Sequence, residues 1–193
     1  MKIVADIDID LANRDDLLSK IKHIPASMEQ NGDLKQHVVG VYFQKTPIDP
    51  IQNVCSIPYK EAEARGYFKV DMLNVAAYGL EQVRDEEHLN ALVEKEPEWD
   101  LLDHESVVDT LFHLNGHYDI VKQHKPSSVE ELAMVMAMVR PGKRYLVGKR
   151  WDIIKDEIWD KPHDNSYHWK SSHSHAYAIS VVVQMNLMME DNG

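Results

Sequence analysis

Asp6, Asp8 and Asp10 stand at alternate positions near the start of the chain, within Ala5-Asp-Ile-Asp-Ile-Asp-Leu11. On a β-strand that spacing sends all three carboxylates to one face. Aspartate is a poor strand residue, and like charges in a row oppose folding unless something compensates them. A hard divalent cation would do so, because it takes oxygen ligands. Two carboxylates at i and i+2, joined by one from another strand, suit the two-metal arrangement for in-line phosphoryl or nucleotidyl transfer. The metals would neutralise a triphosphate and activate a hydroxyl nucleophile. The plainer use of the same pattern is an edge strand whose solvated acidic face blocks aggregation.

The elements that must position these residues follow from periodicity. Ile3, Ala5, Ile7, Ile9 and Leu11 alternate with Val4, Asp6, Asp8 and Asp10, a strand pattern of period two. Asn13 is an N-cap for a helix through Leu17, Leu18 and Ile21 that ends before Pro25. Residues 28–36 read as a polar loop, Val38 to Phe43 as a second strand and Val54 to Ile57 as a third. Glu61 to Ala64 predicts one helical turn stopped at Gly66, and Tyr67 to Leu73 a fourth strand. Further helices are expected over Asn74 to Val83, Ser106 to His124, Ser128 to Met138, Trp151 to Trp159 and Ser174 to Met189. Strands first and helices later predict an α+β domain, a small sheet covered by helices.

The bulk numbers set limits. A chain of 193 residues fits one domain, or one with a small appendage, and can bury a core without staples. Its single cysteine, Cys55, excludes an internal disulfide framework and suits a reducing, cytoplasmic setting. No signal peptide is visible, and the most apolar stretch, Ala176 to Met189, is too short to span a bilayer and carries Gln184 and Asn186. A net charge of −11 argues against a broad basic surface for nucleic acid, though Lys143, Arg144, Lys149 and Arg150 form a local cationic run.

Five segments in order resemble the palm and fingers of the alpha subunit of bacterial DNA polymerase III, the C-family replicative polymerases. The aspartate strand followed by Arg14-Asp15-Asp-Leu-Leu18 is similar to the family's PDxDxDF strand and Arg-Asp helix start, with Leu11 in place of the aromatic. His37-Val-Val-Gly-Val41 with Thr46-Pro-Ile-Asp49 resembles HxxGxxI…PLxD, and Tyr67-Phe-Lys-Val-Asp-Met-Leu73 resembles LxKxDFLGL. Phe112-His-Leu-Asn115, Lys125-Pro-Ser-Ser-Val-Glu-Glu-Leu132 and Met138-Val-Arg-Pro-Gly142 resemble FQxES…KPxSFEDL…LYRPG. Ser172-His-Ser-His-Ala-Tyr-Ala178 resembles NKSHSAAYAL.

The resemblance implies a polymerase-beta-like nucleotidyltransferase palm over residues 1–125 and a helical fingers remnant over 126–193. It implies Asp8, Asp10 and Asp71 as catalytic ligands of Mg2+ or Mn2+, with Asp6 a neighbour that does not bind. Lys69, on the same strand face as Asp71, would approach a phosphate, and Arg140, Lys143 and Arg144 would hold the triphosphate. The implied substrates are a nucleoside triphosphate and primed DNA, with other replication proteins as partners and no membrane. The family's Gly-Ser motif ahead of the aspartate strand, its phosphoesterase domain, thumb, most of the fingers and DNA-binding tail have no counterpart in this sequence. Two readings therefore stand: a reduced polymerase-like nucleotidyltransferase, and a non-catalytic palm-derived module acting on a replication complex, of the kind a virus or mobile element would encode. His163, His168, His173 and His175 crowd one segment without the cysteines or helical spacing of a zinc site. Arg140, just before Pro-Gly, also suits a helix C-terminus.

Overall fold

The aspartate strand pairs with the strand that carries Asp71. The computed structural model describes residues 7–162, 164 and 166–191. In it β1 (Ile7–Leu11) carries Asp8 and Asp10, while Asp6 lies outside the described residues. α1 (Arg14–Lys20) follows, and the Asn13 side chain caps it by accepting from the Asp16 amide. Next come β2 (Ile24–Gln30), β3 (Asp33–Tyr42), the short α2 (Tyr59–Ala64) and β4 (Val70–Asn74). The four strands form one mixed sheet in the order β1-β4-β3-β2, with β1 parallel to β4 and the other pairs antiparallel. Chain contacts divide the protein into two compact units, Met1–Asn74 and Val75–Gly193.

Within the first unit, α1 covers one face of the sheet. Leu17 and Leu18 pack there on Val41, Val70 and Met72. The other face holds Ala26, Tyr42, Cys55, Ile57 and Ala62, so Cys55 is a buried apolar filler. Residues 28–36, expected as a loop, are instead the arms of a β2–β3 hairpin. Asn31 (φ 55°) and Gly32 (φ 82°) both take the left-handed conformation that a tight hairpin turn requires. The arms read as loop because their outer ends are polar and exposed. The expected strand at 54–57 reduces to bridges between Ile48 and Cys55 and between Ser27 and Pro58.

The second unit is helical. It contains α3 (Glu86–Glu94), α4 (Glu105–Val108), α5 (Tyr118–His124), α6 (Val129–Met138), α7 (Trp151–Glu157) and α8 (Ser171–Asp191). The helix expected over 74–83 is only a 3₁₀ turn, Ala76–Gly79. Asn74 is held in β4, where its side chain accepts from the Arg14 amide. The helix expected over 106–124 is broken into α4 and α5, because His113 (φ 64°) and Gly116 (φ 72°) leave helical space between them. α3 escaped the periodicity because it buries only His88 and Leu92 in an acidic run. α6 and α8 form the centre of the unit. Ser128 caps α6 by accepting from the Glu131 amide, and every residue from Leu132 to Met138 is buried. Met134, Met136, Met138 and Met185 fill this core. Two polar residues of α8 find backbone partners: Asn186 donates to the carbonyls of Leu92 and Lys95 at the end of α3, and Gln184 accepts from the Phe112 amide. Among the described residues no helix is long and apolar enough to cross a membrane.

Candidate metal centre

Register brings the first pair of acids together. Along the parallel β1–β4 ladder Asp8 lies opposite Asp71, and Asp10 opposite Leu73. Residues opposite each other on neighbouring strands share a face, so Asp8, Asp10 and Asp71 all look the same way. A carboxylate oxygen of Asp8 and one of Asp71 lie within 4.8 Å of each other. Asp71 is buried, Asp8 half-buried and Asp10 exposed one step along the edge strand. Two carboxylate charges that close repel by about 3 kcal/mol at an effective dielectric near 20. A cation between them removes that cost, and paired carboxylate oxygens suit a hard divalent ion. Asp8 and Asp71 fit such an ion, whereas Asp10 shares the face but does not complete a 4.8 Å cluster with the two of them.

Lys69 is where the sequence pattern put it and does something the pattern did not suggest. It is buried, and its ammonium donates to Oδ1 of Asp71; the two side chains are 5% and 3% exposed. The lysine stem runs over Gly40, which sits opposite Asp71 on β3. A Cβ at position 40 would meet Cδ of Lys69 at 2.8 Å and Nδ1 of His37 at 2.9 Å. Nδ1 of His37 accepts from the Gly40 amide at 2.9 Å, and the His37 ring packs edge-on against Tyr59, 5.0 Å between centroids. The Lys69 ammonium stands 5.7 Å from the centre of the same Tyr59 ring. His37, Gly40 and Tyr59 thus shape the space around Lys69. The His-x-x-Gly spacing was the signal for the first two; nothing in the sequence marked Tyr59. Tyr42 is also buried here, and its hydroxyl is held above the usual phenol range, first by burial and then by Cys55, Glu63 and Asp71.

The cationic residues belong to the second unit and are used differently from one another. The Arg140 guanidinium lies over the Trp169 ring, 3.7 Å from its centre. Among the described residues its buried Nε and Nη2 have no hydrogen-bond partner. Burial depresses its pKa, an effect that Tyr167 and Tyr177 oppose. His117 is lowered by burial and then by the charges of Arg144 and Arg140. His113 packs edge-on against Trp169 and Tyr177; burial of its ring and then Arg140 hold it down at about 4, although the residue as a whole is exposed. Lys143, expected at a phosphate, is turned inward and donates to the Glu157 carbonyl at the end of α7. Arg144, Lys149 and Arg150 are exposed, and Arg150 pairs with Asp152. Gly142 admits a close approach, since its amide donates to the Tyr167 carbonyl and a Cβ there would meet that oxygen at 2.9 Å. Of the four clustered histidines, His163 lies outside the described residues; Nδ1 of His175 is 2.8 Å from the Ser171 carbonyl, one turn back in α8.

Comparison of the chain with protein-family models, with curated proteins and with solved structures finds no match. The functional reading accordingly rests on the residues themselves.

Proposed function

We propose that the protein is a metal-dependent nucleotidyltransferase of the DNA polymerase III alpha kind, with a polymerase-beta-like palm built on the four-stranded sheet. The observation that carries this reading is the registered pair Asp8 and Asp71, with carboxylate oxygens within 4.8 Å on parallel strands and Asp10 two residues along the same face. Asp8, Asp10 and Asp71 would hold Mg2+ or Mn2+, and the bound ions would supply charge neutralisation at the triphosphate and a lowered pKa at the attacking hydroxyl. The chain's own contribution is to fix the acids. A sheet holds Asp8 and Asp71 more tightly than loops would, and the Lys69 contact fixes the orientation of Asp71.

In the second unit, Arg140 has by itself the chemistry of an anion contact. A buried guanidinium with two unsatisfied nitrogens calls for an oxyanion, and its planar fork matches phosphate. Lys143 does not belong to the same reading, since its amine is committed to Glu157.

The test is extension of a labelled primer on a template with deoxynucleoside triphosphates and Mg2+ or Mn2+. Incorporation is expected from the wild type and a loss of at least about a hundredfold from Asp8→Ala and Asp71→Ala. Absence of both incorporation and metal–nucleotide binding in the wild type would overturn the reading. Metal–nucleotide binding without incorporation would favour the alternative, a palm-derived binding module for primed DNA or a replication complex.

A further inference from the structure

We infer that the metal centre is partly masked by the chain itself: Lys69 occupies Oδ1 of the Asp71 carboxylate as a resident cation, positioned there by Gly40 and His37, and a divalent ion gains that oxygen only by displacing it. The inference rests on the metal reading of Asp8 and Asp71. It adds a competitor to that reading and names the residues that set its strength.

Three observations combine. First, the pair is buried on both sides, so the ammonium and the carboxylate depend on each other rather than on water. Second, the contact geometry is built. The lysine stem crosses β3 at the one residue opposite Asp71 that has no side chain, and any Cβ there would intrude on the stem at 2.8 Å. Third, that glycine is itself held. Its amide donates to His37, whose ring is braced on Tyr59, beneath the same ammonium. A lysine merely tolerated at this place would need none of these. Charge gives the consequence. Asp8 and Asp71 present two negative charges within 4.8 Å and Lys69 offsets one of them, so the face keeps a net attraction for cations while one oxygen of its inner ligand is taken. Apparent metal affinity is then the intrinsic affinity reduced by the fraction of molecules in which Lys69 has moved away. On displacement the ammonium is left beside the bound ion, where a phosphate accompanying the metal would neutralise it. Metal and an anionic ligand should therefore bind cooperatively.

The experiment is calorimetric titration of Mn2+ alone into the intact wild type, Lys69→Met, Gly40→Ala and Asp71→Asn, with circular dichroism as the check on folding. Methionine keeps the length and apolar body of the lysine stem and removes the charge. Alanine at 40 meets side chains rather than backbone, the Lys69 stem at Cδ and the His37 ring at Nδ1, with Ala26 Cβ at 3.2 Å, so the stem and the ring must yield. Both variants should bind Mn2+ about tenfold tighter than wild type, and Asp71→Asn should not bind. A role of these residues in folding alone would change affinity in the opposite direction. If wild type and Lys69→Met bind equally, or Lys69→Met binds more weakly, while Asp71→Asn abolishes binding, the mask is refuted and the metal centre stands. If Lys69→Met binds and wild type does not, the mask is supported in its strongest form. If no variant binds, both fall.

Discussion

Asp71 and Asp10 are both acidic residues on one sheet face, yet they should answer differently to the same change. Asp71 is 2% exposed and bonded to a buried lysine; Asp10 is exposed at the edge. Asp71→Asn leaves the Lys69 ammonium buried without its counter-charge and should cost about 3 kcal/mol in urea unfolding in metal-free buffer. Asp10→Asn should stay within about 0.5 kcal/mol in the same measurement. Alternation put Asp8 and Asp10 on one face, and only the resemblance of the segment around Asp71 added the third acid, which lies opposite Asp8 on the neighbouring strand. What Lys69 does was not legible. Its pairing depends on Gly40, 29 residues earlier, lying opposite Asp71, and that is a fact of strand register. Likewise Lys143 read as a surface cation, and only the packing of α7 shows its amine spent on a carbonyl.

At the level of elements, two side-chain caps were legible, while α3, capped by Asp85, was missed and α7, which has no side-chain cap, was expected. Asn13 and Ser128 each mark a helix that forms, and each accepts from the amide three residues on. Ser128→Ala should cost about 1 kcal/mol, read as a lowered midpoint in chemical denaturation, because α6 then begins with an unanswered amide. Segment 106–124 looked continuous because its apolar residues keep a helical rhythm through Leu111 and Leu114, both buried. The break comes from backbone at His113 and Gly116, which periodicity does not register. α5 carries a pH dependence of its own. Nε2 of buried His124 accepts from the Gly148 amide at 3.0 Å, and burial lowers its pKa below the ordinary value of about 6.5. The unfolded chain therefore binds the proton more readily than the folded one. Stability from this residue is full above about pH 6.5 and is lost as pH falls below it toward the depressed folded value. Thermal unfolding at pH 7.5 and pH 5 should show the loss, and His124→Gln, which keeps an acceptor and cannot titrate, should reduce it.

For the whole molecule, the α+β class followed from strands preceding helices, and a helical second half was apparent from the apolar runs that became α6 and α8. The point of division at Asn74 was not, since it falls inside a segment whose composition does not change. The net charge of −11 leaves the chain to recruit cations rather than polyanions directly, so any nucleic acid or nucleotide should arrive with metal. That makes the location of the ion the decisive fact. A crystal soaked in Mn2+ and measured at the manganese absorption edge should show an anomalous peak about 2.2 Å from carboxylate oxygens of both Asp8 and Asp71. A saturating soak with no peak between β1 and β4, or with manganese bound only at other acids, would contradict the metal centre and the nucleotidyltransferase reading with it.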